Sequence, residues 1–443
     1  MIFHQALDYH HLEERYNAMQ QLPGFVLLRS HPQSQGRYDI LSALPHQTCL
    51  NVDYDAWMLQ WPLVDNPSPW PFIGGVIGWV SYELCLEWHG MKKATKRLLD
   101  ALPLLELRYF LGGIIVDHHQ KTAHLVWNDS SGNPVEKWCK SLEQQWNQPI
   151  KNQGSDDTRD FKTLTSPSEY QRAIATIQNH IVEGRVYQVN YTQAFIHSAF
   201  YGSSWEWFWQ TQGKNPVPYA GYWQHPDYQI MSFSPECFLT IDGQTAITQP
   251  IKGTIARGDT HKQDKKNQKW LQYSEKNLAE NIMIVDLLRN DFGKLSLTGS
   301  VDVPFYCQLQ SFKNVHHLVS EVRSQLQADT HPWLFAKACM PGGSITGAPK
   351  HEAMQVISEL EPYQRQAYCG HLFYLSAHGR WDSNILIRTV TQHQQQLLAA
   401  AGGGIVIDSN AKEEYQESFA KIKTIINTES PEIEISKKWK KLL

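Results

Sequence analysis

No two of the seven cysteines (Cys49, Cys85, Cys139, Cys237, Cys307, Cys339, Cys369) form a Cys-x-x-Cys pair, and their number is odd. That argues against a disulfide framework and against a thiolate zinc site, and makes the reducing cytoplasm the expected compartment. Long apolar runs are missing too. No stretch approaches the ~18 apolar residues of a spanning helix, and Met1-Ile2-Phe3-His4-Gln5 lacks the basic region and apolar core of a signal peptide. A soluble, unprocessed protein is expected, with no membrane partner. Charge of one sign is also lacking: Lys and Arg total 40 against 44 Asp and Glu, a formal charge of −4, so nothing points to a nucleic-acid partner. Internal repeats and low-complexity tracts are absent. What remains is a chain of 443 residues, enough for two or three units at ~150 residues each. Its sixteen tryptophans read as packing residues.

In chain order, residues 1–147 mix a short helix with strands such as Phe25 to Leu28 and Tyr38 to Leu41. Leu107 to Asp117 and Thr122 to Trp127 read as a hairpin around His118 to Lys121. Residues 148–165 are polar and are expected to be a linker. Residues 166–428 then form a second region, and 429–443 a basic tail. Ser166, Pro167 and Glu169 predict a capping box opening a helix. Tyr187 to Thr192 reads as a strand, and Asp242-Gly243 as the turn of a hairpin that sets Glu236 opposite Gln249. One long helix is predicted over residues 268–290, with Leu271, Leu278, Ile282, Val285 and Arg289 on its stripe. A helix follows Pro349, strands are expected at Asn384 to Thr391, Gln396 to Ala400 and Ile405 to Ile407, and a last helix runs from Ala411 to Ile426.

Several residues in this pattern could carry chemistry. In Gln249-Pro250-Ile251-Lys252-Gly253-Thr254, a lone lysine stands among apolar and small residues where proline and glycine mark the end of a strand at a cleft. A lysine partly desolvated in such a place becomes a nucleophile. Pro341 to Lys350 is a glycine-rich turn at a helix start, suited to an anion, although Ala348-Pro349 before Lys350 separates it from a nucleotide P-loop. Gly402-Gly403-Gly404, expected between two strands, offers a second close approach. Glu280 on one predicted helix, with Glu414 and Glu417 on another, suits a hard cation such as Mg²⁺. Glu280 with Lys276 and Glu417 with Lys421 also read as ordinary i,i+4 surface pairs. Arg388, on a predicted strand, suits a carboxylate.

Ser234-Pro235-Glu236, Pro250 to Gly258, Glu280 to Asp291, Val315 to Ser320, Pro341 to Lys350 and Ala401 to Ile405 occur in that order, and together they resemble the chorismate-binding enzymes. That family includes the large subunits of anthranilate synthase and aminodeoxychorismate synthase, and the isochorismate and salicylate synthases. The resemblance covers about residues 165 to 428. More loosely, the first 145 residues resemble the N-terminal portion of the two aminating members, with Leu27-Leu28-Arg29-Ser30 falling where that branch has a tryptophan pocket.

The resemblance implies an α/β (α+β) fold, a large two-sheet sandwich with helices outside, and chorismate as substrate. Glu280 and Glu417, with Glu414 beside them, would hold Mg²⁺. Gly343, Thr346 and Lys350 would meet the ring carboxylate, Arg388 and Gly402, Gly403 and Gly404 the enolpyruvyl carboxylate, and Gly253, Thr254 and His317 the ring. Glu236 would be the general acid. Where water-using members carry a lysine base, this chain has Gln188, which cannot act as one. Where anthranilate synthases carry alanine, it has Lys252, as aminodeoxychorismate synthases do. The expected reaction is therefore amination of chorismate at C4 through a covalent Lys252 adduct, towards 4-aminobenzoate and folate. A separate class I glutamine amidotransferase subunit (component II) is expected to supply the ammonia. The rival readings are anthranilate synthesis and chorismate binding without turnover.

Overall fold

The computed structural model describes residues 1–426 except 35, 65–67, 95, 101, 129–134, 152–160 and 312–314. The predicted basic tail and half of the predicted linker (residues 152–160) lie outside the described residues. Among the described residues two large sheets face each other, one of twelve strands and one of ten. Their inner faces interlock. Leu372 of the smaller sheet fills the space left by Gly221 of the larger, while Trp223 and Tyr228 donate hydrogen bonds across the interface to the buried Glu106 carboxylate. Helices cover the outer surfaces, with amphipathic faces such as Tyr170, Ala173, Ile174 and Ile177 turned inward.

Both sheets use strands from both ends of the chain. Val26–Arg29 pairs with Tyr219–Gln224 in the larger sheet, and Gly75–Val80 pairs with His371–Ser376 in the smaller. The chain switches sheets several times. The run from Leu107 to Asp117, expected as one strand, breaks at Leu111: Leu105–Phe110 belongs to the smaller sheet and Gly112–Asp117 to the larger. Only the second part forms the hairpin with Thr122–Asn128. The Ser166 capping box forms as predicted, with Ser166 N–H donating to Glu169 at 2.8 Å.

The expected long helix is two. His261–Gln272 ends at Tyr273, and Ser274 caps a new helix, Glu275–Gly293, by accepting from the Asn277 N–H. The break resets the phase. Asn281, Ile284, Val285, Leu288 and Phe292 are buried, whereas Ile282 is 55 % exposed and Arg289 lies outside.

Candidate active site

Lys252 lies on the strand Ile251–Ala256, which pairs antiparallel with Val315–Gln325. Ile251 faces Val319 and Thr254 faces His317, so Lys252 and Gly253 together oppose the single residue Leu318. This is a β-bulge, and Gly253 adopts φ +86° within it. A Cβ at Gly253 would also come within 3.0 Å of the Asn277 and Leu271 side chains. The extra residue interrupts strand alternation at Lys252, which is why register alone does not predict where the lysine points.

The neighbouring hairpin differs from its expected register as well. Asp242 pairs with Thr245 and the turn is Gly243-Gln244, so pairing is displaced from that built on Asp242-Gly243. Glu236 precedes the first strand of this hairpin, where the chain passes from Tyr228–Ser234 of the larger sheet to Cys237–Asp242 of the smaller. Arg388 occupies a second such passage. The expected strand Asn384 to Thr391 is in fact Trp381–Ile385 of the smaller sheet and Thr389–His393 of the larger. Between them Arg388 takes φ +50°, a left-handed conformation that marks a constrained position in a non-glycine residue. Two backbone bonds join the passages: Phe233 N–H donates to Arg388 C=O at 3.0 Å, and Ile385 N–H to Glu236 C=O at 3.3 Å. The seam between the sheets thus brings Glu236 and Arg388 together.

Burial pushes the Glu236 carboxyl above its ordinary range, while Lys252, the Ser344 hydroxyl, Lys421 and Arg388 pull it back. Glu236 and Ser344 line one pocket with Pro250, Gly342 and Gly343. His317 accepts from or donates to Thr254 Oγ1 across 2.8 Å. Desolvation, then the neighbouring Arg388 and His316, hold His317 down to about 4, so the ring is neutral at pH 7. Lys252, Glu236, Arg388, Thr254 and His317 therefore form one connected group.

The glycine-rich turn is supported from beneath. Gly343 packs on Leu287, whose Cδ2 would be 2.6 Å from an added Cβ. Thr346 is buried and its hydroxyl donates to Gly342 C=O at 3.1 Å. Lys350 is buried too, and its three N–H donors go to Asp291, Cys339 C=O at 3.0 Å and Pro341 C=O at 2.8 Å. Thr346, expected to meet a ligand, thus bonds within the turn, and Lys350, expected to do the same, ties the turn to Cys339 and to Asp291 on the helix Glu275–Gly293. Lys350→Met should therefore destabilise the fold by ~3 kcal/mol, because it leaves buried Asp291 with only Lys294 at 2.9 Å. Denaturant unfolding measures this, and an unchanged midpoint would refute it.

Gly402, Gly403 and Gly404 do not separate two strands but lie inside one, Gln396–Ile405. Gly403 lets the last helix, Ala411–Ile426, approach: a Cβ there would sit 3.3 Å from Glu414 Oε2 and from Lys421 Nζ. At Gly404 it would sit 2.3 Å from Gln188 Nε2. Lys421 bonds Glu417 at 2.8 Å and Gly402 C=O at 2.9 Å, so the pair that resembled a surface contact faces the glycine strand. Burial, then repulsion from Glu417, pushes the Glu414 carboxyl up, while the Ser409 hydroxyl, which donates to it at 2.8 Å, and then Lys276 and Lys421 offset this. Lys276 also lies 3.9 Å from Glu280, which brings the start of its helix to the two glutamates. No group of three or more His, Cys, Asp or Glu side chains among the described residues is already gathered to hold a metal ion. The donor chemistry nonetheless fits a hard divalent cation: all-oxygen donors from crowded carboxylates whose mutual repulsion is offset by the Ser409 hydroxyl and two lysines.

Sequence reasoning passed over Lys421 and Ser344. The i,i+4 and i,i+7 spacing from Glu417 and Glu414 was the available signal for Lys421. Ser344 had only its place in the turn. In the N-terminal region, Arg29 pairs with buried Asp39 at 3.5 Å and lies over the Trp209 ring at 4.5 Å. No helix among the described residues is long and apolar enough to cross a membrane.

A protein family described as chorismate binding enzyme matches residues 29–427. The chain is 35% identical over 442 residues to aminodeoxychorismate synthase component 1 of Salmonella typhimurium, covering 94% of this chain and 95% of that one. It is 38% identical over 356 residues to the Escherichia coli protein of the same name, covering 80% and 77%. Among solved structures, anthranilate synthase component I from Streptococcus pneumoniae superposes with a TM-score of 0.81 at 29% identity, over 95% of this chain and 99% of that one.

Proposed function

We propose that this chain, which belongs to the chorismate-binding enzymes, converts chorismate and ammonia to 4-amino-4-deoxychorismate. The observation that carries this reading is the shared setting of Lys252, Glu236 and Arg388 at the seam of the sheets. A lysine beside a carboxylic acid whose ionisation is disfavoured by burial supplies a nucleophile and an acid by one proton shift between them. The Lys252 amine forms a bond to C2, both ring double bonds shift, and the C4–O bond breaks as Glu236 gives its proton to the departing hydroxyl, which leaves as water. Ammonia then bonds to C4, both double bonds return, and the C2–N bond breaks to free the Lys252 amine. The new ammonium group carries the proton balance, and Glu236 recovers its proton from water.

Arg388 provides a fixed positive charge for a substrate carboxylate, and neutral His317, held by Thr254, faces the ring. Gln188, packed against Gly404 and unable to act as a base, leaves water without activation. Glu280, Glu417 and Glu414 would hold Mg²⁺, which when bound supplies charge for the ring carboxylate. Chelation should stop turnover and Mg²⁺ should restore it. Glu417→Gln should weaken Mg²⁺ binding ~10–100-fold by calorimetry, and unchanged binding would remove Glu417 from the ligand set.

Ammonia would come from a second component with glutaminase activity, in keeping with the "component 1" in the relatives' names. The structural likeness to an anthranilate synthase component makes anthranilate the rival product. Chorismate, Mg²⁺ and ammonium separate the two. A product that becomes 4-aminobenzoate only after a lyase is added supports the proposal, whereas accumulating fluorescent anthranilate overturns it.

A further inference from the structure

The strand bearing Lys252 lies at the edge of the ten-stranded sheet, and its bulge interrupts the ladder where the lysine must be held most firmly. Compensation comes immediately beyond the strand. The Asp264 carboxylate, on the helix His261–Gln272, accepts from Arg257 Nε and Nη2, both at 2.9 Å, and from Gly258 N–H at 2.8 Å. These two residues continue directly from Ile251–Ala256. A Cβ on Gly258 would be 2.2 Å from Asp264 N, so only glycine allows the chain to lie this close to the helix start.

The same carboxylate reaches the opposing strand. His316 is fully buried, and its Nε2 lies 2.9 Å from Asp264 Oδ1. With Nε2–H donating there, Nδ1 accepts the Ser311 hydroxyl at 2.7 Å. His316 pairs with Ile255, and the next residue, His317, pairs with Thr254. Asp264 is itself buried and thus joins three segments: the end of the Lys252 strand, the strand presenting His317, and through His316 the end of Asp302–Ser311.

We infer that Asp264 is a positioning residue that clamps the Lys252 and His317 strands together at their open end and so sets the aim of the lysine. On this edge strand the bulge is held by one pair before it and by three after it, Thr254 to Ala256; the clamp adds charge-assisted bonds just beyond those pairs, where the short ladder would otherwise fray and twist. It touches none of the groups assigned to substrate, so its influence passes through the backbone. The inference rests on the proposed role of Lys252.

The test compares the wild-type chain with Asp264→Asn and with Arg257→Gln, a half-exposed site where failure to fold is not expected. Two readouts are taken on each: kcat and KM with chorismate, Mg²⁺ and ammonium, and the acetylation rate of Lys252 relative to exposed Lys262, followed by peptide mass spectrometry without turnover. Asp264→Asn is expected to lower kcat by ~10²-fold, the cost of misplacing a reacting group by about 1 Å, with KM within ~3-fold of wild type. Lys252 acetylation should change while that of Lys262 does not, and Arg257→Gln should show the same pattern more weakly. Unchanged kcat, or unchanged Lys252 acetylation in both variants, would overturn the clamp. A wild-type chain that makes no aminated product would instead overturn the proposed function, and the acetylation comparison would still decide on the clamp.

Discussion

Lys252→Ala is expected to abolish formation of 4-amino-4-deoxychorismate, with a loss of ~10³-fold or more, the scale seen when a nucleophile acting as part of a unit is removed. The alanine variant should still bind chorismate, because Arg388, Ser344, Thr254 and His317 are untouched and Glu236 keeps its Ser344 bond. The fold should be unaffected, since Lys252 is half-buried in a bulge and its backbone pairing at Ile251 and Thr254 remains. With the side chain gone, ammonia can occupy the space near C2, and slow amination at that carbon, leading to anthranilate, is the expected residual activity. Intact-mass measurement on chorismate-treated wild type without ammonia should reveal a covalent adduct that the variant lacks. An adduct of the same mass in the alanine variant would remove Lys252 from its assigned role.

Glu236→Gln should lower kcat by ~10²–10⁴-fold, the usual contribution of a positioned general acid. The substitution preserves shape and the contact to Ser344 but leaves no proton for the departing C4 hydroxyl. Its pH behaviour separates acid catalysis from mere binding. Burial raises the Glu236 carboxyl above the ordinary glutamate value of 4.5, so the active protonated form persists to a higher pH than an exposed glutamate allows. Wild-type kcat should fall as pH rises through that raised value, and the glutamine variant should lack this limb. The stability sign follows from the same shift. A carboxyl raised in the folded state contributes stability below its unfolded value and loses it as pH rises through the folded one. Glu236→Gln should therefore gain in thermal stability relative to wild type on the alkaline side. A variant with the wild-type limb and near-wild-type kcat would exclude Glu236 as the acid.

Much of this was legible in the residues. The Ser166 capping box, the strand at Tyr187 to Thr192, the last helix and the order of motifs from Ser234 to Ile405 depend on local chemistry: a hydroxyl facing free N–H groups, side-chain alternation, helical spacing. The same local rules identified Lys252 and Arg388 as unusual, whereas Glu236 received its role only through the family resemblance. Where they failed, a non-local contact had overridden them. Leu107 to Asp117 and Asn384 to Thr391 are continuous β patterns because both faces of each are buried, and no local signal distinguishes a strand that stays in one sheet from one that changes sheets. The helix over residues 268–290 looked continuous because Ser274 as an N-cap and Ser274 as a mid-helix residue differ only in whether the chain turns there.

The sequence by itself determined which side chains are available: a lysine without a surface-like neighbourhood, a glutamate after a proline, an arginine in an apolar run, and a glutamine in place of a base. Only the tertiary structure decided which of them meet. Lys252 comes near enough to Glu236 for its charge to act on the carboxyl, from a strand in which the bulge at Gly253 breaks the two-residue alternation. Glu236 reaches Arg388 because both stand where the chain passes between sheets and the two passages hydrogen-bond to each other. Lys350 is bonded into the fold beneath the glycine-rich turn because buried Asp291 claims its charge. Each outcome depends on a partner more than twenty residues away or on a single backbone dihedral, and neither is encoded in local periodicity.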